Sequence, residues 1–258
     1  MYKFALTIFF TSTLLLLVSC KKQFTDDYSL GAVVNVKYQR DSYERAVRLI
    51  KEQDFEQSYK IFIGIVKDLP FSNVSRKALL MAAFSEYSAG KYQNSATIGE
   101  QYIDQYSESQ DIDYVYYLVG MSYLNLIRDV YYDQRPTYLM LEYMGQIVSK
   151  YKNSPYFNGA KFYVSVGRNQ LAAKEMEIGI YYMKQEEYES AVLRFQSLIS
   201  NYSDTEQVEE AMVRLIEAYY SLDLIDEARD MFGAMQKCYP QGYWSKYAGK
   251  LVQSKNTN

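Results

Sequence analysis

An all-α fold of packed helix hairpins is predicted by three features of the sequence. Apolar residues recur at three- and four-residue steps along most of its 258 positions, the period of an amphipathic helix. Only 12 Gly and 4 Pro are present, and no run of alternating β-branched residues marks a strand. Small residues return in a fixed register: Ser58, Ser95, Ala191 and Ala228 are followed four positions later by Phe62, Gly99, Phe195 and Phe232, and the segments close at Pro70, Ser107, Ser203 and Pro240. Ser58 to Ser95 and Ala191 to Ala228 are both steps of 37 residues, the length of one helix–turn–helix unit.

The clearest unit runs from Lys174 to Thr205. Met176, Gly179, Ile180 and Met183 share one helical face. After the polar break Gln185-Glu186-Glu187, Tyr188, Ala191, Val192, Phe195, Leu198 and Ile199 form a second. Gly179 and Ala191 let two backbones approach while aromatic rings fill the remaining space, the pattern of a tetratricopeptide (TPR) hairpin, which needs neighbours to bury its faces. The 96 residues from Ser95 to Ala191 hold one further unit with residues to spare. The prediction is a right-handed α-solenoid of five TPR-like helix hairpins over residues 41–252, followed by a disordered tail over 253–258.

The first hairpin is expected over 42–52 and 55–69, ended by Pro70, and the second over 75–88 and 92–106, joined by Ala89-Gly90-Lys91. Asp111 is placed as the N-cap of the third, which opens with Tyr114 to Tyr117. From Leu126 to Tyr138 the charged run Arg128-Asp129…Asp133-Gln134-Arg135-Pro136-Thr137 makes a longer connection than a hairpin turn requires, and extra loop length on a rigid scaffold is more often functional than not. A long helix over 158–185 then leads into the fourth hairpin. Helices over 208–222 and 226–238 form the fifth, and Tyr243 to Leu251 suits a short helix capping the last repeat.

The first 19 residues read as a signal peptide: Lys3, an apolar stretch from Phe4 to Val18, then small residues. Leu17-Val18-Ser19-Cys20 has the form of a bacterial lipobox, which makes Cys20 the acylated mature N-terminus and residues 20–40 a lipidated tether. Lys21 follows the cysteine where aspartate would retain a lipoprotein at the inner membrane, so the outer membrane is expected.

Composition narrows the function. A net charge of −3 and a pI near 5.3 give no electrostatic footprint for nucleic acid. Histidine is absent, which removes Ser-His and Cys-His nucleophile pairs and His-ligated zinc; neither a cofactor, a metal nor enzymatic activity is expected. Glu175, Glu177, Glu186, Glu187 and Glu189 read as solvated helix faces rather than paired catalytic carboxylates. Cys238, between Met235 and Pro240, reads as a buried helix-end residue. Phe84, Tyr87, Tyr114 and Tyr117 stand on first helices, which line the concave side of a solenoid, and are candidates to receive a partner's apolar side chains.

Several stretches carry a family resemblance: Asp113-Tyr-Val-Tyr-Tyr117, Arg128-Asp129…Asp133-Gln134-Arg-Pro-Thr137, Lys174-Glu-Met-Glu-Ile-Gly179, Ala191-Val-Leu-Arg194-Phe195, Val208 to Leu215 and Asp226-Glu-Ala228. Together with the lipobox they resemble the BamD family, TPR lipoproteins of the outer-membrane β-barrel assembly (Bam) machinery, in its alphaproteobacterial form. The resemblance implies a non-enzymatic scaffold on the periplasmic face of the outer membrane. It implies docking on the barrel protein BamA through C-terminal repeats, company with other Bam lipoproteins, and engagement of unfolded barrel precursors through N-terminal repeats. Arg194 falls where the family places an arginine of the BamA contact. Ser107 and Ser203 depart from the family's helix-ending prolines. A TPR lipoprotein that binds peptidoglycan or a cell-wall synthase is the alternative.

Overall fold

A computed structural model describes residues 40–256, and every regular element among them is helical. The helices are α1 (40–51), α2 (Phe55–Asp68), α3 (Asn73–Ser88), α4 (Tyr92–Gln105), α5 (Ile112–Leu124), α6 (Arg135–Lys150), α7 (Phe157–Lys184), α8 (Tyr188–Asn201), α9 (Val208–Ser221), α10 (Ile225–Cys238) and α11 (Tyr243–Asn256). The signal peptide, the tether and Cys20 lie outside the described residues. The helices group into two compact units, α1–α3 up to Lys91 and α4–α11 from Tyr92.

In the first unit the Tyr43 ring meets Phe62 edge-on at 5.3 Å, joining α1 to α2. Helix α3 packs along α2, and the core gathers Ala46, Phe62, Ile65, Ala78, Leu79 and Ala82. In the second unit each helix from α4 to α10 packs on the next, and α11 lies on α9 and α10. The expected all-α fold of TPR-like hairpins is the observed one, with α1/α2, α5/α6, α7/α8 and α9/α10 as pairs within single units.

The register marked by small residues has a physical basis. Ser58, Ser95, Ala191 and Ala228 are all fully buried. Ser58 Oγ meets Ser85 Oγ at 3.1 Å, and Ser122 Oγ donates to Ser95 Oγ at 3.0 Å, the same 27-residue step each time. Two units further along the repeat, the corresponding positions are Ala191 and Ala218, both buried. A buried hydroxyl without a partner would be costly, so the serines come in pairs and the alanines need none.

The turn inside a hairpin repeats as well. Gln53, Gly90, Glu186 and Asp223 take φ of 63°, 74°, 61° and 62°, the left-handed region that costs a residue with a Cβ ~1–2 kcal/mol. The chain uses glycine at only one of the four. Glu186→Gly or Asp223→Gly is therefore expected to raise stability by ~0.5 kcal/mol after glycine's entropy loss, and Gly90→Ala to lower it by ~1 kcal/mol. Urea unfolding followed by circular dichroism reads both signs.

Other elements differ from expectation in detail. Helix α11 continues past Leu251 to Asn256, so the tail expected from Gln253 is helical up to that residue. Asp111 sits just before α5 but caps no helix N–H; it accepts instead from the Tyr102 hydroxyl at 3.4 Å. At Ser107 and Ser203, where the family has prolines, the Tyr102 hydroxyl meets Ser109 Oγ at 3.1 Å and Thr205 Oγ1 donates to the Tyr202 carbonyl at 2.7 Å, so side-chain bonds close these two turns. Cys238 is exposed, not buried. The packed stripe of α10 runs from Ala228 through Phe232 and Met235 to Tyr239, and a residue three beyond Met235 falls outside it.

Candidate partner-binding surfaces

Helix α7 organises the second unit. Its 28 residues make a rod about 42 Å long, enough to serve two packing partners in succession. A Cβ at Gly167 would meet Met140 and Leu141 of α6, and one at Gly179 would meet the Phe195 ring of α8. Between these crossings lies Lys174-Glu-Met-Glu-Ile-Gly179, and its residues divide the work. Met176 faces the core with 5% exposure. Glu175 Oε2 lies 3.3 Å from Arg194 Nη1 of α8. Glu177 Oε2 accepts from the Tyr131 hydroxyl at 2.9 Å. Two residues apart means about 200° around the helix, so one carboxylate turns to α8 and the other to the α5–α6 connection.

The expectation of solvated carboxylates therefore fails for Glu175, whose side chain is 18% exposed beside the 42% of Arg194; Glu186, Glu187 and Glu189 are exposed as expected. Arg194 spends one N–H bond on Glu175, and its side chain stays 42% exposed.

The α5–α6 connection, residues 125–134, is built on a buried amide. Gln134, 6% exposed, donates to the carbonyls of Asp129 (3.0 Å) and Tyr132 (3.1 Å), while its own oxygen accepts from Thr137 Oγ1 (2.8 Å) and Gln170 Nε2 (3.2 Å). Gln170 of α7 also donates to the Arg128 carbonyl at 2.9 Å. Both donors and both lone pairs of the Gln134 amide are thus used, which fixes the loop and its seat on α7 together. Tyr131 and Tyr132 remain 70% and 48% exposed on it. Arg128 to Gln134 has no apolar period, so the sequence revealed the length of this connection but not its hub.

The four aromatic candidates do not form one cluster. Phe84 and Tyr87 belong to the first unit and are half-buried. The open groove of that unit, about 420 Å³, lies between Arg40 and Tyr43 of α1 and Asn73, Val74 and Lys77 of α3. Phe84 stands about two turns further along α3. Tyr114 and Tyr117 belong to the second unit, where Tyr117 stacks on Tyr156 at 5.0 Å and Tyr114 lies against the same ring at 5.4 Å. Gly159 leaves room for the Tyr117 hydroxyl. These two rings join α5 to the start of α7 while staying half-buried.

Ion pairs and phenols fasten the remaining helices. Arg168 of α7 holds both carboxylate oxygens of Asp204 through Nε at 2.9 Å and the Asn201 carbonyl through Nη2; that bonding holds the Asp204 carboxyl below its usual range. Burial pushes the neighbouring Tyr202 phenol up to about 12. Glu100 Oε1 accepts from Tyr123 (2.6 Å) and Tyr143 (3.0 Å), tying α4, α5 and α6, and burial with this bonding raises both phenols. Arg214 pairs with Glu210 and Glu217 and lies 5.3 Å from the Trp244 ring, while Tyr247 donates to Glu217, so α11 is tied to α9. Among the described residues no cluster of three or more His, Cys, Asp or Glu could hold a metal, and no helix is long and apolar enough to cross a membrane.

Paired amphipathic helices in a repeating register, with ordered polar contacts on their surfaces, define a TPR-type repeat protein. The chain belongs to the YfiO outer membrane lipoprotein family, whose sequence profile matches residues 35–232. It is 32% identical over 212 residues to outer membrane protein assembly factor BamD of Rickettsia prowazekii, covering 82% of this chain and 84% of the relative. It is 27% identical over 210 residues to BamD of Caulobacter vibrioides, covering 81% and 69%. BamD of Pasteurella multocida is 23% identical over 205 residues, covering 76% and 79%.

Proposed function

We propose that this protein is a non-enzymatic scaffold of outer-membrane β-barrel assembly, a lipoprotein held at the periplasmic face of the outer membrane through Cys20. The observation that carries the reading is the match to assembly factors over four-fifths of the chain, on a fold whose surfaces are organised by hydrogen bonds and ion pairs. In this reading residues 1–19 are the signal peptide, 20–40 the tether and the helical repeats the working domain. Arg194 docks on a BamA-like barrel protein, other Bam lipoproteins share the complex, and unfolded precursors meet the half-buried rings of Phe84, Tyr87, Tyr114 and Tyr117. The work is capture and hand-over. Burying one aromatic side chain contributes roughly 1.5–3 kcal/mol, which suits transient holding.

Depletion of the protein is expected to lower the amount of folded, heat-modifiable β-barrels in the outer membrane, and re-expression of Cys20→Ala is expected not to restore it. Two acyl chains at about 0.8 kcal/mol per buried CH₂ anchor a protein stably, and the variant has none. Normal barrel levels after depletion, with altered peptidoglycan instead, would transfer the function to cell-wall binding. Outer-membrane partitioning of Cys20→Ala with an acylated N-terminus would remove Cys20 as the anchor.

A further inference from the structure

The groove of the first unit lies between the opening turns of α1 and α3. Its apolar lining comes from Tyr43, half-buried with its ring set edge-on to Phe62, and from the half-buried Val74. Its rim is mainly cationic. Arg40 and Lys77 stand exposed there beside one acid, Glu44, whose Oε1 lies 3.3 Å from Arg40 Nε; among the described residues Lys77 forms no ion pair. Both helices begin at the groove, so the positive ends of their dipoles add to the same sign. The open space of about 420 Å³ falls in the range of ligand-binding clefts, ~300–1,000 Å³.

The chain itself supplies a segment of matching chemistry. Residues 21–39 run in sequence to Arg40, which is one wall of the groove. Within them Phe24-Thr25-Asp26-Asp27-Tyr28-Ser29-Leu30 sets two adjacent acids between apolar residues, and Asp26 and Asp27 are the only acids from Cys20 to Gln39. The intervening residues 31–39 can span about 30 Å, enough for the segment to return to the groove. A link that short presents it at an effective concentration on the order of 1 mM. A separate chain has to outcompete that.

We propose that residues 24–30 of this chain's own tether occupy the groove, with Asp26 and Asp27 on Arg40 and Lys77 and the side chains of Phe24, Tyr28 and Leu30 against Tyr43 and Val74. The consequence is control of reach, and it rests on the proposed lipid anchor at Cys20. From Cys20 to Phe24 the chain spans about 14 Å, so a docked segment holds the first unit close to the bilayer; undocked, the stretch from Cys20 to Arg40 allows about 70 Å.

The test is photo-crosslinking in the full mature chain carrying Cys20→Ala, purified without lipid, with benzoylphenylalanine at the exposed groove position Asn73 and light- and heavy-isotope protein mixed in equal amounts. Crosslinks within one chain to residues 24–30 are expected. Lys77→Glu or Asp27→Lys alone is expected to lower their yield about fivefold or more, and the two together to restore most of it, with the dichroism spectrum unchanged. Recovery in the double variant separates a charge contact from damage to the groove. Crosslinks joining light to heavy chains would make the groove a contact between copies, and capture of an added barrel-precursor peptide at equal yield with and without Asp27→Lys would give it to an outside chain; either result overturns the inference. Absence of any crosslink to residues 24–30 also overturns it and leaves the proposed function standing, because neither lipid nor barrel partner enters the assay.

Discussion

Phe195→Ala is expected to cost the second unit ~3–5 kcal/mol, the loss typical of truncating a fully buried aromatic ring. Phe195 has no exposed surface and sits in the cluster of Met176, Leu198, Leu215 and Ile216, with its ring edge in the space Gly179 leaves open. The loss is a large part of the ~5–15 kcal/mol that holds a typical domain folded. Gly179→Ala tests the same contact from the other side. Alanine favours a helix over glycine by ~1 kcal/mol, but the added methyl meets the ring, and overpacking costs ~1–3 kcal/mol, so net destabilisation is expected. Combining Gly179→Ala with Phe195→Leu should cost less than the two singly, because the smaller side chain vacates the disputed space. Additive losses in urea titrations would show that the two positions do not share it.

Arg194→Ala is expected to weaken capture of the barrel partner by ~2 kcal/mol or more, roughly thirtyfold, with little change in stability. The stability half follows from exposure: at 42% for Arg194, its pair with Glu175 is well screened and contributes ~0–1 kcal/mol. The binding half follows from geometry, since Glu175 engages one N–H of a fork with five donors on a side chain that stays 42% exposed. Arg194→Lys should recover little, because a point charge does not reproduce a planar pair of donors. Unchanged capture with an unchanged dichroism spectrum would make Arg194 a structural partner of Glu175 and nothing more.

The parts of this molecule legible in its sequence are those governed by periodicity. The steps from Ser58 to Ser95 and from Ala191 to Ala228 and the long helix before Lys184 appear in the folded chain, because burial of one helical face writes itself along the sequence at regular intervals; the extra length after Leu126 appears too, but it ends at Gln134 rather than Tyr138, since Arg135-Pro136-Thr137 opens α6. Polar contacts leave no such trace. Glu175 and Glu177 look alike as neighbours in a charged helix, yet one meets Arg194 nineteen positions on and the other Tyr131 forty-six positions back. Gln134 and Gln170 carry no periodic signal, although their mutual bond seats the loop. Cys238 departs from expectation for a related reason: flanking apolar residues suggest burial, but the stripe reaches Tyr239 by a step of four from Met235 and leaves Cys238 outside. Tyr114 and Tyr117 stand on the first helix of their hairpin, α5, as spacing predicts, while the ring of Tyr156 that they share belongs to a later turn that spacing does not reveal.

The most direct test of the scaffold function is the identity of what co-purifies with the lipidated protein from gently solubilised outer membranes. A BamA-like barrel protein in near-stoichiometric amount, lost with Arg194→Ala, is the predicted result. A preparation dominated by cell-wall synthases or peptidoglycan fragments, with no barrel protein above background, would contradict it.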